Sequence, residues 1–424
     1  MSEKNEAIKN SIKATRERHA GMRCRVFEVK IDASKLSAAK KASLDQLFRE
    51  AKWLRNSELA KRDVRLFDRN ATTATVKVGD VFEVRHLTLL GSQIRQDIVD
   101  ALKSEIRGLV TKKSRGEKIG ALKFKPFCNS IPLRQFGTTY RIDFEKNTVS
   151  VQKLDRQPFK VRGLRQIPED AEFANAKLIR KPSGYYFHIT TYTEPVERIA
   201  TGACCGIDFG IGNNLTLDDG TTINICVPES KSVKLASKRV NKSYVRNGKK
   251  KKKSKNHNRR VSKLRTAYEK QNNVKHDVAN KVISNLLADY DFIAIQDEMI
   301  AGWHRGLFGK QVQHSVMGAI KAKLKTNSSV RVVERSFPST QICPACGKLT
   351  KHPLAMRSYR CDHCGYSHPS RDTKAAISIL TRAIETVSTE RRTQSPVEAR
   401  ASTTDADFGT CGKSPSVKQE AQVL

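Results

Sequence analysis

Four cysteines late in the sequence have the spacing of a metal site. They form two Cys-x-x-Cys pairs separated by fourteen residues: Cys343, Cys346, Cys361 and Cys364. Four thiolates at this spacing can bind one tetrahedral Zn²⁺, whereas disulfides or buried thiols are the simpler alternative. Gly347 and Gly365 each follow the second cysteine of a pair, where a tight metal-binding turn favours a residue without Cβ. The pattern therefore predicts a structural Cys₄ zinc ribbon over residues 343–365.

Three acidic residues stand where a solvated carboxylate is not expected. Asp208 interrupts a short apolar strand pattern that begins at Cys204. Glu298 closes the apolar run that follows Asp291, and Asp372 begins a helical pattern after the last cysteine. Buried carboxylates are usually paired, hydrogen-bonded or metal-bound, because an unpaired buried charge is unfavourable. The simpler interpretations are a helix-dipole charge for Asp372 and an exposed strand-end charge for Glu298.

Together, the three acids would support metal-dependent phosphodiester chemistry. Their oxygen atoms are the ligands that Mg²⁺ prefers, and two such ions can activate a water and stabilise the leaving oxygen. Strand, turn, strand, turn and strand patterns follow residue 203, then a helix over Lys263–Leu287, the acid-tipped strand and a last helix. This is the order of an RNase H-like α/β fold. If Asp208, Glu298 and Asp372 converge in this fold, they would form a catalytic Mg²⁺ site.

The first two hundred residues have a β-rich pattern that helices interrupt. Arg25–Ile31 alternates as a half-buried strand does, and apolar stripes predict helices over Ser37–Leu59 and Ser92–Val110. The predicted divisions are a flexible leader (1–20), a β-rich domain (21–36 and 120–200), a helical insert (37–119), an RNase H-like domain (201–342 and 366–387), the ribbon (343–365) and a disordered tail (388–424).

The chain is strongly basic. Its 79 Lys and Arg residues against 43 Asp and Glu residues give a formal charge of +36 and a pI near 10. This excess indicates a polyanionic partner, of which nucleic acid is the first candidate. A membrane surface is the rival, but no apolar run approaches the ~20 residues of a spanning helix.

One basic run, residues 246–265, contains no acid. Such a run is either a solvated, mobile loop or a flexible phosphate-binding element. On charge alone, the predicted nucleic-acid-binding residues are Arg246, Lys249, Lys250, Lys251, Lys252, Lys253, Arg259 and Arg260.

The remaining cysteines and the first residues indicate the cellular compartment. Six cysteines outside the ribbon are scattered without a disulfide-framework spacing, which favours a reduced, intracellular compartment. Residues 1–21 lack the apolar segment of a secretory signal. We therefore expect an intracellular protein.

Three motifs in fixed order resemble the TnpB family, whose members are encoded by insertion sequences and are similar to miniature type V CRISPR effectors. The motifs are Gly-Ile-Asp-Phe-Gly-Ile around Asp208, the acid-tipped strand, and a Cys₄ ribbon just before Arg-Asp-Thr-Lys-Ala-Ala around Asp372. The resemblance is firm over about residues 200–380 and looser in the N-terminal part, which fits the family's wedge domain and recognition insert.

The resemblance implies an RNA-guided DNA endonuclease. A guide RNA from the mobile element would select the double-stranded DNA target by base pairing, and a RuvC-type site would cut it. The protein itself would recognise a short adjacent motif and the shape of the heteroduplex, which suits a highly basic chain. Its place would be the cytoplasm of a bacterial or archaeal cell, at the nucleoid.

The second acid departs from the family pattern. Where the family commonly has Ile-Glu-Asp-Leu, this chain has Ile-Gln-Asp-Glu, ending at Glu298. One register puts Gln296 at the catalytic position, whereas a register that matches relatives with Gln-x-Glu selects Glu298. Gln296 and Glu298 share a strand face while Asp297 points away. We choose Glu298, with Asp297 as the fallback.

The third motif also departs, because Ser370 replaces a leading acid and Lys374 replaces an asparagine, although Asp372 is kept. Three other functions therefore stay open. These alternatives are a cleavage-dead RNA-guided regulator, a CRISPR-associated effector of the same fold, and a strand-transfer transposase. The sequence does not specify the oligomeric state.

Overall fold

The computed structural model describes residues 3–154, 156–195, 200–246, 249–250, 254–353 and 355–393. The chain divides into two units, Met1–Glu197 and Arg198–Leu424. Each unit has its own buried apolar core. Within the described ranges, every helix is too short or too polar to span a bilayer.

The first unit is built on a seven-stranded antiparallel sheet. Its described elements are α1 (Glu3–Ala20), β1 (Arg23–Ile31), α2 (Ala38–Ala60), β2 (Thr73–Val78), β3 (Val81–His86), α3 (Ser92–Ser114), β4 (Ser130–Leu133), β5 (Tyr140–Asp143), β6 (Thr148–Val151), β7 (Phe159–Arg162), β8 (Glu172–Lys181) and β9 (Gly184–Thr193). The strand order is β4-β8-β9-β1-β7-β6-β5, so the strand nearest the N-terminus joins the later strands at the centre of the sheet.

Helices α2 and α3 are amphipathic, as their apolar stripes predict. The apolar stripe of α2 is fully buried at Leu44, Leu47 and Leu54, and that of α3 is buried at Ile94 and Leu102. Ser37 begins α2 as its N-cap, because its hydroxyl accepts a hydrogen bond from the backbone N–H of Lys40.

Two features of the first unit differ from the sequence prediction. Residues 3–20, expected as a flexible leader, form α1, whose end is fixed where Arg18 pairs with Glu172 (2.8 Å) and His19 stacks on Tyr192. The expected helical insert also contains the β2–β3 hairpin. The sequence pattern did not indicate either feature, because α1 has almost no apolar stripe and the hairpin is short.

The second unit is an α/β structure. Its described elements are β10 (Cys204–Phe209), β11 (Leu215–Leu217), β12 (Thr222–Ile223), α4 (Lys231–Tyr244), β13 (Val245–Arg246), β14 (Lys249–Lys250), α5 (Lys255–Asp289), β15 (Phe292–Gln296), α6 (Ile300–Trp303), α7 (Gly309–Ser315), α8 (Met317–Leu324), β16 (Val330–Val333), β17 (Tyr359–Arg360), β18 (Ser367–His368) and α9 (Arg371–Thr393).

Five of these strands form a mixed sheet in the order β12-β11-β10-β15-β16. The pairs β12–β11 and β11–β10 are antiparallel, whereas β10–β15 and β15–β16 are parallel. Helix α9 packs closely on β10 at Gly206, where an added Cβ would lie 2.2 Å from the carbonyl oxygen of Ala376. The sheet therefore places the carboxyl ends of β10 and β15 side by side, next to the beginning of α9.

Two helix boundaries in the second unit differ from the predictions, and one connection contains helices that were not predicted. Helix α5 begins at Lys255 rather than Lys263, because Ser254 caps it by accepting a hydrogen bond from His257 N. Helix α9 continues to Thr393, so residues 388–393 are helical instead of part of a disordered tail; residues 394–424 lie outside the described ranges. Helices α6–α8 fill the connection from β15 to β16 and were not predicted.

Candidate functional site

The four predicted zinc ligands come together. Among the described residues, their sulfur atoms form the metal-ligand cluster in which all atoms lie within 4.8 Å of one another. The Sγ atoms of Cys343 and Cys364 are 3.6 Å apart, as are those of Cys346 and Cys361. Zinc–sulfur bonds of about 2.3 Å at the corners of a tetrahedron would separate the sulfurs by about 3.8 Å. The cluster therefore has the size of a tetrahedral metal site.

The backbone of the cluster consists of two similar turns. Gly347 N donates to Cys343 O (2.9 Å), and Gly365 N donates to Cys361 O (3.2 Å). Both glycines have positive φ, +70° and +74°, a conformation that L side chains rarely adopt. The two glycines identified from the sequence therefore have a backbone role in the turn that follows each cysteine pair.

The three predicted acids lie at the edge where β10, β15 and α9 meet. Asp208 is the fifth residue of β10, Glu298 lies two residues beyond β15, and Asp372 is the second residue of α9. The pKa of Asp208 is raised to about 8, first by burial and then by the negative charges of Asp372 and Glu298. Asp208 is therefore close enough to interact with each of the other two carboxyl groups. Among the described residues, the three acids do not approach one another as closely as the cysteine sulfurs.

The environment of Glu298 also disfavours the ionised form. Burial raises its pKa, while the positive charges of Lys321 and Arg335 partly oppose that shift. Lys321 donates to the backbone carbonyl of Glu298, so the side-chain carboxyl group is not the acceptor. Glu298 is thus a half-buried carboxylate near Asp208, which fits an oxygen ligand for a divalent cation.

Asp297, the fallback for the second acid, is held by three cations. Its carboxylate lies 2.7 Å from Lys321 Nζ, 2.9 Å from Lys325 Nζ and 3.2 Å from Arg335 Nη2. Hydrogen bonds from the two lysines hold its pKa far below the usual range for aspartate. These contacts give Asp297 a role in joining β15 to α8 and the segment after β16.

Gln296 lies level with Asp208 in the parallel register of β10 and β15, because Ile207 pairs with Ile295. The side chain of Gln296 is 2% exposed. Its amide nitrogen donates to Phe337 O (2.5 Å), and its amide oxygen accepts from the hydroxyl of Ser339 (2.8 Å). Gln296 therefore holds the segment that leads from β16 to the ribbon.

Lys374 holds the same segment from the other side. It is fully buried, and its ammonium group donates to the carbonyl oxygen of Ser339 (2.9 Å) and lies 4.0 Å from the centre of the Tyr359 ring. Burial lowers its pKa to about 8. Ser339 is therefore contacted by Gln296 through its hydroxyl and by Lys374 through its carbonyl group. Sequence reasoning identified Gln296 and Lys374 as departures from the family pattern, but nothing in the pattern identified Ser339.

The predicted nucleic-acid-binding residues fall into three groups. Arg259 and Arg260 are exposed on α5, so they lie on a helix rather than in the predicted loop. Arg246, Lys249 and Lys250 belong to the short β13–β14 pair. Lys251, Lys252 and Lys253 lie outside the described residues.

Two family models match segments that begin near the end of the first unit and lie mostly in the second. Residues 188–303 match OrfB_IS605, described as "Probable transposase", and residues 316–379 match the Cas12f1-like TNB domain. The first match spans β10 to α6 with Asp208 and Glu298, and the second spans the ribbon with Asp372.

A curated relative from Streptomyces pristinaespiralis bears the name "Putative RNA-guided DNA endonuclease". It is 26% identical over 232 residues, which cover 53% of this chain and 56% of the relative. Thus the match spans little more than half the length of that protein.

Two solved structures also align with the chain. The Cas12f1–sgRNA–target DNA complex aligns at a TM-score of 0.44 and 10% identity, over 85% of this chain and 99% of that one. The mini-RNA-guided endonuclease CRISPR-Cas_phi3 aligns at a TM-score of 0.29 and 12% identity, over 73% and 57%.

The chain is thus similar to a family of probable transposases over residues 188–303 and to a Cas12f1-like domain over residues 316–379. Together with the named relative, these matches confirm the resemblance to the TnpB family.

Proposed function

We propose that this chain is an RNA-guided DNA endonuclease that hydrolyses phosphodiester bonds with Mg²⁺. The observation that carries the proposal is Asp208 at the end of the mixed sheet, whose pKa is raised by burial and by the negative charges of Asp372 and Glu298. The strand order, three antiparallel-connected strands followed by two parallel ones, supports an RNase H-like, RuvC-type domain for the second unit. The name of the curated relative supports the same activity.

The three carboxylates fit a divalent cation. Burial and like charges raise the pKa of Asp208, so a bound cation would favour its ionised form. Asp208, Glu298 and Asp372 would hold Mg²⁺, which supplies charge neutralisation and an activated water when bound. The chain itself orients the acids: β10 fixes Asp208, the close contact at Gly206 fixes α9, and the Gln296 contacts fix the end of β15.

The partners follow from charge and relatedness. A guide RNA would provide sequence selection, and a chain of charge +36 suits binding of the RNA and of the double-stranded DNA target through their backbones. The proposed divisions are a β-rich wedge with a helical recognition insert in the first unit and the RuvC-type domain in the second. The four cysteines would hold a structural Zn²⁺. The protein would act at the nucleoid, in the cytoplasm of a bacterial or archaeal cell.

One observation favours a second function, a cleavage-dead RNA-guided regulator. Gln296, an amide, is the residue level with Asp208 on the neighbouring strand. If that level position is where the second metal ligand must stand, the site lacks an acid there, and the protein would act by occupying its target.

Cleavage by the purified protein with its co-expressed RNA separates the two functions. The RNA is sequenced, and a plasmid carrying the matching target is incubated with Mg²⁺ or with EDTA. Asp208→Ala, Glu298→Ala and Asp372→Ala are compared with Glu385→Ala, which removes an exposed acid from the same helix as Asp372. We expect Mg²⁺-dependent cleavage that the three site variants abolish and the control variant keeps.

Two results would contradict the proposal. Cleavage that survives in all three site variants removes the nuclease assignment, and purification without any discrete RNA removes the guide. Target binding without cleavage in the wild-type chain would instead favour the regulator.

A further inference from the structure

A basic cleft lies on the first unit, in a region that the charge pattern of the sequence did not identify. The cleft has a volume of about 360 Å³ and is lined by Arg69, Asp100, Lys103, Ser104, Arg107 and Arg134. Four cations therefore surround a single carboxylate, beside a hydroxyl group. The cleft is open and polar, which suits an extended anionic ligand rather than an apolar one.

Asp100 holds two of the four cations in place. Its carboxylate accepts from Arg69 Nη2 (2.9 Å) and from Arg134 Nη1 (3.5 Å). The backbone N–H of Arg134 donates to the buried carboxylate of Asp97 (3.1 Å), which fixes the residue just after β4. Arg134 Nε also lies 3.7 Å from the Asp97 carboxylate. Two guanidinium groups from separate loops are thus oriented before any ligand binds, and with Lys103 and Arg107 the four cations outnumber these two carboxylates.

The other two cations are free to bind a ligand. Lys103 and Arg107 follow Asp100 on α3 at spacings of three and seven residues, so they lie on the same helix face in successive turns about 5.4 Å apart. Neither side chain pairs with an acid among the residues that the structure describes, and Arg107 is exposed. Ser104 also lines the cleft, and its hydroxyl group donates to the backbone carbonyl oxygen of Asp100 (2.9 Å).

We propose that this cleft binds the phosphodiester backbone of a nucleic acid, with Lys103 and Arg107 contacting phosphates and Arg69 and Arg134 as prepositioned guanidinium groups. Guanidinium groups with fixed orientation recognise phosphate oxygens through paired hydrogen bonds, and unpaired cations on a helix face add attraction without sequence preference. The inference rests on the proposed function only for the choice of nucleic acid as the ligand.

The test measures how binding depends on salt. Lys103→Gln/Arg107→Gln is compared with wild type and with Lys112→Gln/Lys113→Gln, which removes the same charge from exposed positions of the same helix outside the cleft. Fluorescence anisotropy of the full chain is recorded in EDTA with a labelled single-stranded RNA and, separately, a labelled DNA duplex. Thermal melting verifies that each variant is folded.

For the duplex, loss of two phosphate contacts should reduce the slope of log K against log salt by about 2, and for the single strand by about 1.4. A reduction in one arm alone identifies the nucleic acid that occupies the cleft. An unchanged slope in both arms, or an equal reduction in the control variant, overturns the inference because net charge alone would then explain binding. EDTA keeps this result independent of cleavage, so failure of the nuclease assignment would leave it standing.

Discussion

Replacing Gln296 by glutamate distinguishes the two assignments of the second acid. In the wild-type chain, the buried amide group donates to Phe337 O (2.5 Å) and accepts from the hydroxyl of Ser339 (2.8 Å). Glutamate keeps an acceptor for Ser339 but places an oxygen atom against the carbonyl group. We therefore expect Gln296→Glu to destabilise the second unit without increasing cleavage.

The size of the effect follows from the contacts that change. Phe337 O keeps the backbone N–H of Ser339 as a donor (2.9 Å), so loss of the amide donor removes one hydrogen bond and destabilises by about 0.5–1.5 kcal/mol. A buried carboxylate beside Asp208 would be protonated instead of ionised, and protonating a glutamate of ordinary pKa at pH 7.5 costs about 4 kcal/mol. Since a protonated carboxyl group restores one donor, the net loss should be about 2–5 kcal/mol. For a unit of this size, the melting temperature should fall by about 5–15 °C.

The assay pairs thermal melting with plasmid cleavage, measured below the melting transition of the weakest variant. Glu298→Gln is the matched control, because it makes the reverse chemical change two residues away. Since burial raises the pKa of Glu298, its replacement should keep or increase stability while reducing cleavage by at least about a hundredfold. The destabilisation of Gln296→Glu should also diminish as the pH falls, because the protonated form is the one that the folded state favours.

One result would contradict the assignment of Glu298 as the second acid. If Gln296→Glu melts within about a degree of wild type and cuts faster, then position 296 is the metal-binding position, and the second-acid assignment to Glu298 is wrong.

Three further predictions concern the packing, the ribbon and the ion-pair cluster. Gly206→Ala should lower stability by about 1–3 kcal/mol and reduce cleavage, because the added Cβ would collide with a backbone oxygen of α9. Gly212 has open space around it, so Gly212→Ala should change neither the melting temperature nor the cleavage rate. Cys361→Ser should lose about one zinc per chain by elemental analysis, while the exposed Cys226→Ser should keep it; equal zinc in both would remove the ribbon assignment. Asp297→Asn should lower the melting temperature at neutral pH and leave cleavage measurable. The reason is that the depressed pKa of Asp297 contributes stability that is lost only as the pH falls below the ordinary aspartate range. Lost cleavage with an unchanged melting temperature would make Asp297 the second acid.

Local patterns predicted the cluster of four cysteines and most of the mixed sheet of the second unit. The Cys-x-x-Cys spacing is a short-range constraint, so the knuckle geometry at Gly347 and Gly365 could be anticipated from neighbouring residues alone. Apolar periodicity likewise identified α2, α3 and the strands β10, β11 and β15. The start of α5 was missed because residues 249–260 carry charge rather than an apolar stripe, and capping by Ser254, not burial, sets the boundary.

Contacts that depend on distant residues were not predictable in the same way. The alternation of β15 indicated that Gln296 and Glu298 share a face, but not that loop carbonyl groups engage the amide of Gln296. The cleft on α3 unites residues from two loops and a helix, so only the fold brings Arg69 and Arg134 to Asp100. In both cases the determining partners are many positions away in the sequence.

Ser339 connects the ribbon to the proposed catalytic edge. Its hydroxyl binds Gln296, two residues before the second acid, and its carbonyl accepts from Lys374, two residues after Asp372. Lys374 also lies against the ring of Tyr359 in the ribbon, so the Cys₄ turns pack on the helix that carries an acid. Ser339→Ala should therefore reduce cleavage while the zinc content stays at the wild-type value, because it removes the link to β15 and leaves the cysteines intact. Full cleavage in that variant would show that the acids are positioned by the sheet and α9 alone.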